Sequence, residues 1–395
     1  MSKQTITSRE DMLMPTYNRF PLTLVKGKGS YVWDEQGAKY LDYTSGIATC
    51  NLGHTPDVVK NQVEKQLQDL WHCSNLYHIP SQEKLAEILV KNSFGDKVFF
   101  CNSGAEANEA SIKLARRYAQ AVKKTNAHEV VTFSNSFHGR TLATLAATGQ
   151  EKIQQGFAPL APGFRYLPYN DDKALDGLVS SETCAVLLEL VQGEGGVVPA
   201  DFDWVKKLAA ICKENDILLM IDEIQTGIGR TGTLFAYQQY EIEPDVISIA
   251  KGLGSGIPIG AVIANEKAAE AFTPGTHGST FGGNPLSAAA GLATVSHIVE
   301  SGILEKSINL SSYLVEKLQQ LKGQSDVIEE VRGKGMLQGI AVKGNAIDYV
   351  TKAREHRLLI LVAGPQVIRI LPPLTTNKEE VDAFYSVMQK VFCVK

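Results

Sequence analysis

The chain has 395 residues, 44% of them hydrophobic and 21% charged, with 34 Gly and 15 Pro. That balance excludes disorder, collagen-like repeats and low-complexity tails, and the length suits two or three domains with sizeable buried cores. Against 43 acidic residues stand 39 basic ones, a formal charge of −4, and with no basic block longer than Lys123-Lys124 nothing draws the chain to nucleic acid or a membrane surface.

The first forty-odd residues read as an arm plus a hairpin. Tyr31-Val32-Trp33 and Lys39–Tyr43 are short strand-like runs, with Asp34–Gly37 as the turn between them. A helix is predicted after Thr55, read as its N-cap with Pro56 at the first helical position, because Val59, Val63, Leu67 and Leu70 recur at helical spacing. From about Lys97 to Gly260 the pattern alternates. Apolar strands are predicted at Val98–Cys101, Glu129–Phe133, Ala185–Leu190, Ile217–Ile221 and Val246–Ala250, with helices at Ala105–Val122 and Phe202–Asn215 among them. Such alternation implies a mostly parallel sheet buried on both faces, with its chemistry just beyond the carboxyl ends of the strands. After Asn284-Pro285 the chain turns to long amphipathic helices, Leu286–Ser301 and Ile303–Leu321. A shorter αβ section follows, ending at Val367–Leu371 and a last helix, Lys378–Val391. This predicts a second, smaller domain.

The six cysteines (Cys50, Cys73, Cys101, Cys184, Cys212, Cys393) are far apart and form no CxxC pair. They read as reduced thiols of a cytoplasmic protein rather than a disulfide scaffold or a zinc site. The opening MSKQTITSRE lacks the apolar core of a signal peptide, and runs such as Ile217–Ile221 are too short for a membrane span.

Two strand ends carry candidate chemistry. Ile217–Ile221 runs into Asp222-Glu223-Ile224-Gln225, and Val246–Ala250 runs into Lys251-Gly252-Leu253-Gly254. A Lys at the mouth of a parallel sheet is placed to lose its charge by desolvation, and neutral lysine is what Schiff-base chemistry needs. An Asp ending a nearby strand could keep a pyridinium nitrogen protonated, the partner pyridoxal phosphate requires. Either residue alone reads as a solvated strand-end charge. Their weight comes from a phosphate signal, Asn102-Ser103-Gly104-Ala105, between a strand and a strong helix. Ser103 is a natural N-cap there, and Gly104 lets an anion approach the free amides.

Gly227-Ile228-Gly229-Arg230-Thr231-Gly232 fits the dinucleotide pattern GxGxxG, but Asp222–Thr226 separate it from the strand and no convincing helix follows. Phe137-His138-Gly139-Arg140 follows a strand. An aromatic there could cover a planar cofactor and Arg140 could grip a carboxylate, or the segment is a loop with a solvent-facing Arg. Glu189, Glu194 and Arg369 lie at strand ends, where an internal Arg–Glu salt bridge is the default reading. His72, His78 and His138 lack metal-ligand spacing and read as structural. Ser279-Thr280 sit in a Gly-rich loop that can bind phosphate or merely turn.

Together and in this order, these pieces resemble the class-III pyridoxal-phosphate-dependent aminotransferases, most closely their acetylornithine branch. The conjunction of DEIQTGIGRTG, the Ala250-Lys251-Gly252 lysine and STFGGNPL carries the resemblance, which spans nearly the whole chain. It implies the α/β type-I PLP-dependent transferase fold. Residues 1–43 are then an arm and hairpin belonging to the small domain, 44–285 the large PLP-binding domain and 286–395 the small C-terminal domain. Lys251 is implied as the residue that carries pyridoxal 5'-phosphate and shuttles the proton, Asp222 as partner of the ring nitrogen and Gln225 of the ring hydroxyl. Phe137 would stack on the ring, while Ser103, Gly104 and Ala105 would form the phosphate site. Thr280 would reach the phosphate of the neighbouring subunit, making a homodimer with shared active sites. Arg140 and Ser279 would meet the substrate, and Arg369, masked by Glu194, would be freed for 2-oxoglutarate or glutamate. Arg19-Phe20 precede Pro21 where ornithine aminotransferases carry a Tyr, so N2-acetylornithine, with a neutral acetamide, is the implied amino donor. Rival readings are an ornithine, 4-aminobutyrate or succinylornithine aminotransferase, a PLP-dependent aminomutase, or a PLP-binding protein without turnover, whose signature would be a missing Lys or Asp.

Overall fold

The structure, a computed structural model, describes residues 12–392. Cys393 and the opening MSKQTITSRE therefore lie outside the described residues.

Three strands open the described chain: β1 (Leu24–Lys28), β2 (Tyr31–Asp34) and β3 (Lys39–Asp42) form an antiparallel meander, the expected β2–β3 hairpin with one more strand, β1, from the segment read as an arm. The turn between β2 and β3 closes on Asp34 Oδ1, which accepts from the amides of Gln36 and Ala38. Helix α1 (Asp57–Asp69) follows. Its cap position is Pro56, not Thr55, whose hydroxyl donates to the Gly27 carbonyl at 2.7 Å and so fastens the helix start to β1. Of its predicted apolar stripe, Val59 is buried but Leu67 and Leu70 are 42% and 47% exposed. Helix α2 (Pro80–Lys91) comes next.

The central sheet has seven strands: β4 (Lys97–Cys101), β5 (Glu129–Phe133), β6 (Phe164–Leu167), β7 (Thr183–Leu188), β8 (Leu218–Asp222), β9 (Val246–Ile249) and β10 (Gly260–Ala264). Their order is β4-β10-β9-β8-β7-β5-β6. Strand β10 is antiparallel to both neighbours, and the other six share one direction. Strands β7 to β10 are buried at every position, as continuous apolar runs covered on both faces must be. Each large side chain removed from water contributes about 1.5–3 kcal/mol. One face packs Trp204, 2% exposed, edge-on against Phe133 and Tyr169.

Helix α3 (Gly104–Arg117) starts one residue earlier than expected and is capped by Ser103, whose Oγ accepts from the Glu106 amide. Its continuation over Tyr118–Val122 is a π-helical turn rather than more α-helix. Helix α4 (Phe202–Glu214) is capped by Asp201, which accepts from the Trp204 amide.

Beyond α5 (Pro285–Glu300) and α6 (Ile303–Gln324), the strands β11 (Ile328–Lys334), β12 (Leu337–Val342), β14 (Leu361–Val362) and β15 (Val367–Ile370) build a sheet of order β11-β12-β15-β14. Helix α7 (Ala346–Glu355) leads into β13 (Leu358–Leu359), which pairs in parallel with β3, and α8 (Lys378–Val391) closes the described chain. The late chain thus returns to the N-terminal meander. No single helix among the described residues is long and apolar enough to cross a membrane.

Candidate active site

Strands β4, β5, β7, β8 and β9 all release their chains at one end of the central sheet. A cavity of about 390 Å³ opens there, lined by Ser103, Gly104, Phe137, Arg140, Asp222 and Lys251 among others. Because Asp222 is in register with Ser248, the chain leaving β9 carries Lys251 past the end of β8. Lys251 begins a short 3-10 turn with φ 42°, a left-handed backbone at the one lysine that lines the cavity among the described residues. Burial lowers its pKa, and Arg369 adds to the effect, against the opposing pull of Glu194, Asp222 and Glu189.

Asp222, 4% exposed, is held on both oxygens. Oδ1 accepts from the Ile224 amide at 3.0 Å. Oδ2 accepts from Asn108 Nδ2 at 2.7 Å and faces His138 Nδ1 at 2.8 Å. The adjacent Glu223 serves elsewhere. It bonds the Thr226 hydroxyl and the Tyr237 amide, and burial pushes its carboxyl up to about 7.

At another wall stands the start of α3. Ser103 Oγ caps Glu106, and the Ser103 carbonyl takes the Ala107 amide, so the amides of Gly104 and Ala105 point onward without a protein acceptor among the described residues. A Cβ on Gly104 would lie 2.8 Å from two carbons of Ile224, a second wall residue. Any larger residue there would have to push Ile224 aside.

Phe137 and Arg140 flank the cavity, with the Arg140 guanidinium 5.6 Å from the Phe137 ring centre. Arg140 is exposed and pairs with no carboxylate among the described residues.

The default Arg–Glu reading holds for Glu194 and fails for Glu189. Arg369 Nη1 on β15 bonds Glu194 Oε1 at 2.5 Å and Gln225 Oε1 at 3.1 Å. Burial raises the Glu194 carboxyl, but the attraction of Arg369 outweighs it and leaves the group below its ordinary value. Glu189 instead accepts from the backbone amides of Phe137 at 2.9 Å and Gly193 at 3.3 Å. With no salt-bridge partner among the described residues, Glu189 has its pKa driven well upward by burial and the neighbouring Asp222.

Ser279 and Thr280 do not line this cavity. Ser279 Oγ accepts from the Gly282 amide at 3.0 Å and from Asn102 Nδ2 at 3.3 Å, while Thr280 is exposed at the tip of the loop. Arg19-Phe20-Pro21 lie outside it as well, against Arg354, whose guanidinium sits 4.3 Å from the Phe20 ring centre. The structure adds two residues that the sequence did not mark for chemistry, His138 and Asn108. Both touch Asp222, and the short distance from Phe137 to His138 was the one available hint.

A sequence profile described as Aminotransferase class-III matches residues 13–392. The chain belongs to the class-III aminotransferases. An acetylornithine aminotransferase of Oceanobacillus iheyensis is 59% identical over 385 residues, covering 98% of this chain and 96% of that protein. Among solved structures, the N-acetylornithine aminotransferase of Stenotrophomonas maltophilia superposes with a TM-score of 0.84 at 36% identity, over 95% of this chain and 97% of that one. The ornithine aminotransferase of Toxoplasma gondii, seen with PLP at partial occupancy in its active site, gives a TM-score of 0.93 at 30% identity, over 97% and 92%. This class-III aminotransferase therefore has the type-I PLP-dependent transferase fold, and its family depends on pyridoxal phosphate.

Proposed function

We propose that this chain acts as an acetylornithine aminotransferase of arginine biosynthesis. It moves the δ-amino group of N2-acetyl-L-ornithine to 2-oxoglutarate, giving N-acetyl-L-glutamate 5-semialdehyde and L-glutamate. The observation that carries the substrate is the 59% identity to the Oceanobacillus iheyensis protein of that name across nearly the full length of both. The cavity supports it. Asp222, Glu189 and Glu194 are already engaged by protein donors, so among the described residues around the cavity no free carboxylate awaits the α-ammonium of ornithine, while a neutral acetamide needs none.

The residues fit pyridoxal 5'-phosphate. The two free amides at Gly104 and Ala105 suit a phosphate at a helix N-terminus, a carboxylate held by Asn108 and His138 lies at Asp222, and a desolvated amine at Lys251. When bound, the cofactor supplies an electron sink and a carrier for the amino group. Asp222, fixed in place by Asn108 and His138, would hold a proton on the ring nitrogen. Lys251 Nζ, its pKa lowered by burial, would anchor the cofactor and serve as the base and acid of the proton transfer. Phe137 would cover one ring face, and Gln225 would meet the ring hydroxyl. Arg140, unpaired at the rim among the described residues, binds the α-carboxylate, while Ser279, outside this chain's own cavity, would come close to the substrate only across the dimer. Arg369 receives the second carboxylate of glutamate or 2-oxoglutarate. With the amino donor bound, Glu194 keeps Arg369 paired and spares the donor's uncharged stem a bare buried cation.

The same reading makes the enzyme a homodimer with shared sites, Thr280 serving the phosphate of the neighbouring subunit. Its support is an apolar surface beside Thr280: Trp71, Leu76, Tyr77 and Phe281 are 62%, 87%, 70% and 59% exposed, and Asn75 ties the two loops together through the Ser279 and Gly282 carbonyls. Residues 1–43 and 286–395 form the small domain and 44–285 the large one, a division supported by the pairing of β13 with β3. A cytoplasmic location accords with five unpaired cysteines among the described residues.

Steady-state kcat/KM for N2-acetylornithine, ornithine and 4-aminobutyrate, each with 2-oxoglutarate, tests the assignment. N2-acetylornithine should lead ornithine by at least about tenfold, a discrimination of 1.4 kcal/mol. A reversed order would contradict it.

A further inference from the structure

The segment Gly227–Gly232 imitates a nucleotide fingerprint in sequence, yet in the structure it is a run of turns that opens no helix. It carries instead a fully buried guanidinium, Arg230, with 0% exposure. Its acceptors are all neutral: the carbonyl of Met336 at 3.1 Å, the carbonyl of Pro372, and Oδ1 of Asn51 at 2.6 Å. The Arg230 carbonyl in turn accepts from the Met336 amide at 2.9 Å. A cation held in the interior by neutral oxygens alone is costly, and a Leu or Met of similar volume would avoid that cost. Packing therefore does not explain why the position is Arg.

The two carbonyls that Arg230 grips share one feature: the register of β12 on β15 sets them opposite each other, three residues beyond Arg369. Pro372 lies three residues beyond it on the chain leaving β15. Met336 immediately precedes β12, whose Gly339 is the cross-strand partner of Arg369. Asn51, the third acceptor, donates to the Ile228 carbonyl at 2.7 Å and receives the Leu374 amide at 2.8 Å. It also presses on Gly252, beside Lys251, where a Cβ would lie 2.3 Å from Asn51 Nδ2. The loop itself is seated hard against the late chain. Gly229 has φ +86°, and a Cβ there would come 2.8 Å from Leu374 and 2.9 Å from Leu304. Gln225, five residues before Arg230, bonds Arg369 directly.

We propose that Arg230 is a positioning residue for the dicarboxylate half of the reaction. It ties the start of β12 to the chain leaving β15, fixing the end of the strand pair that carries Arg369, so that this guanidinium can leave Glu194 for an incoming carboxylate and still point at one place. The proposal rests on the reading of Arg369 as the binder of the second carboxylate. The donor half-reaction, which leaves Arg369 paired with Glu194, does not need that precision.

The test uses the PLP-loaded enzyme with Arg230→Met and Arg230→Lys. Two readouts are needed: glutarate binding by calorimetry, and the two half-reactions followed by cofactor absorbance, with N2-acetylornithine alone and with glutamate alone. The Met variant should weaken glutarate, and raise the glutamate concentration for half-maximal rate, at least tenfold. Its rate with N2-acetylornithine should change less than twofold. Arg230→Lys keeps the charge but cannot reach all three acceptors at once, and should weaken glutarate about threefold with the donor half intact. If the Met variant fails to fold, the Lys variant decides by itself. Equal losses in both halves, or unchanged glutarate binding in either folded variant, overturn the proposal. Arg369→Leu separates it from the reading beneath. Glutarate binding lost there but unchanged in Arg230→Met overturns the role of Arg230 alone. Binding unchanged in Arg369→Leu overturns the reading of Arg369 and the proposal with it.

Discussion

Replacing Glu194 by Gln keeps the shape of the side chain and removes the charge that masks Arg369. The Arg369 side chain is 3% exposed and that of Glu194 is 30% exposed, with 2.5 Å between their polar atoms. Two unit charges about 4 Å apart attract by roughly 4 kcal/mol at an effective dielectric of about 20. Solvent at Glu194 and the amide oxygen kept by Gln reduce the net loss to about 1.5–2 kcal/mol, on the order of a tenfold to thirtyfold change in binding. Two affinities should then move in opposite directions. Glutarate, a non-reacting dicarboxylate, no longer competes with Glu194 and should bind about tenfold tighter to Glu194→Gln. N2-acetylornithine meets an unpaired buried cation and should bind about tenfold more weakly. Calorimetry with glutarate, and the donor concentration giving half-maximal rate in the single half-reaction, read the two. Acid should act like the mutation. Because the folded Glu194 carboxyl titrates below its ordinary value, the pair contributes stability that is present above that ordinary value and lost as pH falls through the depressed one. A Glu194→Gln enzyme whose ratio of glutarate to donor affinity stays within twofold of the parent would refute the masking argument.

Lys251→Ala should cut turnover by more than about 10³-fold while pyridoxal phosphate still binds through its other contacts; retained catalysis would sink the mechanism. Gly104→Ala puts a methyl 2.8 Å from Ile224, an overpacking cost of about 1–3 kcal/mol. It should show as faster loss of cofactor on dialysis, and Ile224→Val should restore part of the retention. His54 and Asp42 pair at 2.7 Å, and hydrogen bonding to Asp42, with Cys50 adding to it, raises the imidazole from 6.5 to about 10. A raised histidine contributes stability that is full below pH 6.5 and lost as pH rises through about 10. The melting-temperature gap between the parent and Asp42→Asn should therefore be widest near pH 6 and shrink toward pH 10, and a gap that grows with pH would contradict it.

What could be read from sequence follows how local each signal is. Thr183–Leu188 and Leu218–Asp222 are buried at every position, so their apolar runs announce themselves. Phe164–Leu167 sits at the sheet edge, half-buried, and its mixed FRYL reads as neither strand nor helix. Gly260–Ala264 (GAVIA) begins with two small residues after a Gly-Pro-rich stretch, a short run that only pairing with β4 and β9 on either side makes a strand. Thr55 has the right chemistry for a helix cap, but a carbonyl 28 positions earlier claims its hydroxyl. The site shows the same divide. Asp222, Lys251 and Ser103-Gly104 stand at strand ends, where topology alone says to look. The grip of Asn108 and His138 on Asp222 spans 114 and 84 positions, and that of Arg230 on Pro372 spans 142. No periodicity reports such pairs. The glycines around Arg230 gave the opposite message, a nucleotide pattern, because glycine serves any tight backbone approach, whether to a phosphate or to Leu374.

The central claim is that one buried site takes its amino group from N2-acetylornithine. The most direct measurement adds N2-acetylornithine, and separately ornithine, to the PLP-loaded enzyme with no keto acid present, and follows the absorbance of the lysine-bound cofactor. The account predicts fast loss of that absorbance with N2-acetylornithine, slow loss with ornithine, and full recovery when 2-oxoglutarate is added. Faster conversion by ornithine would contradict it.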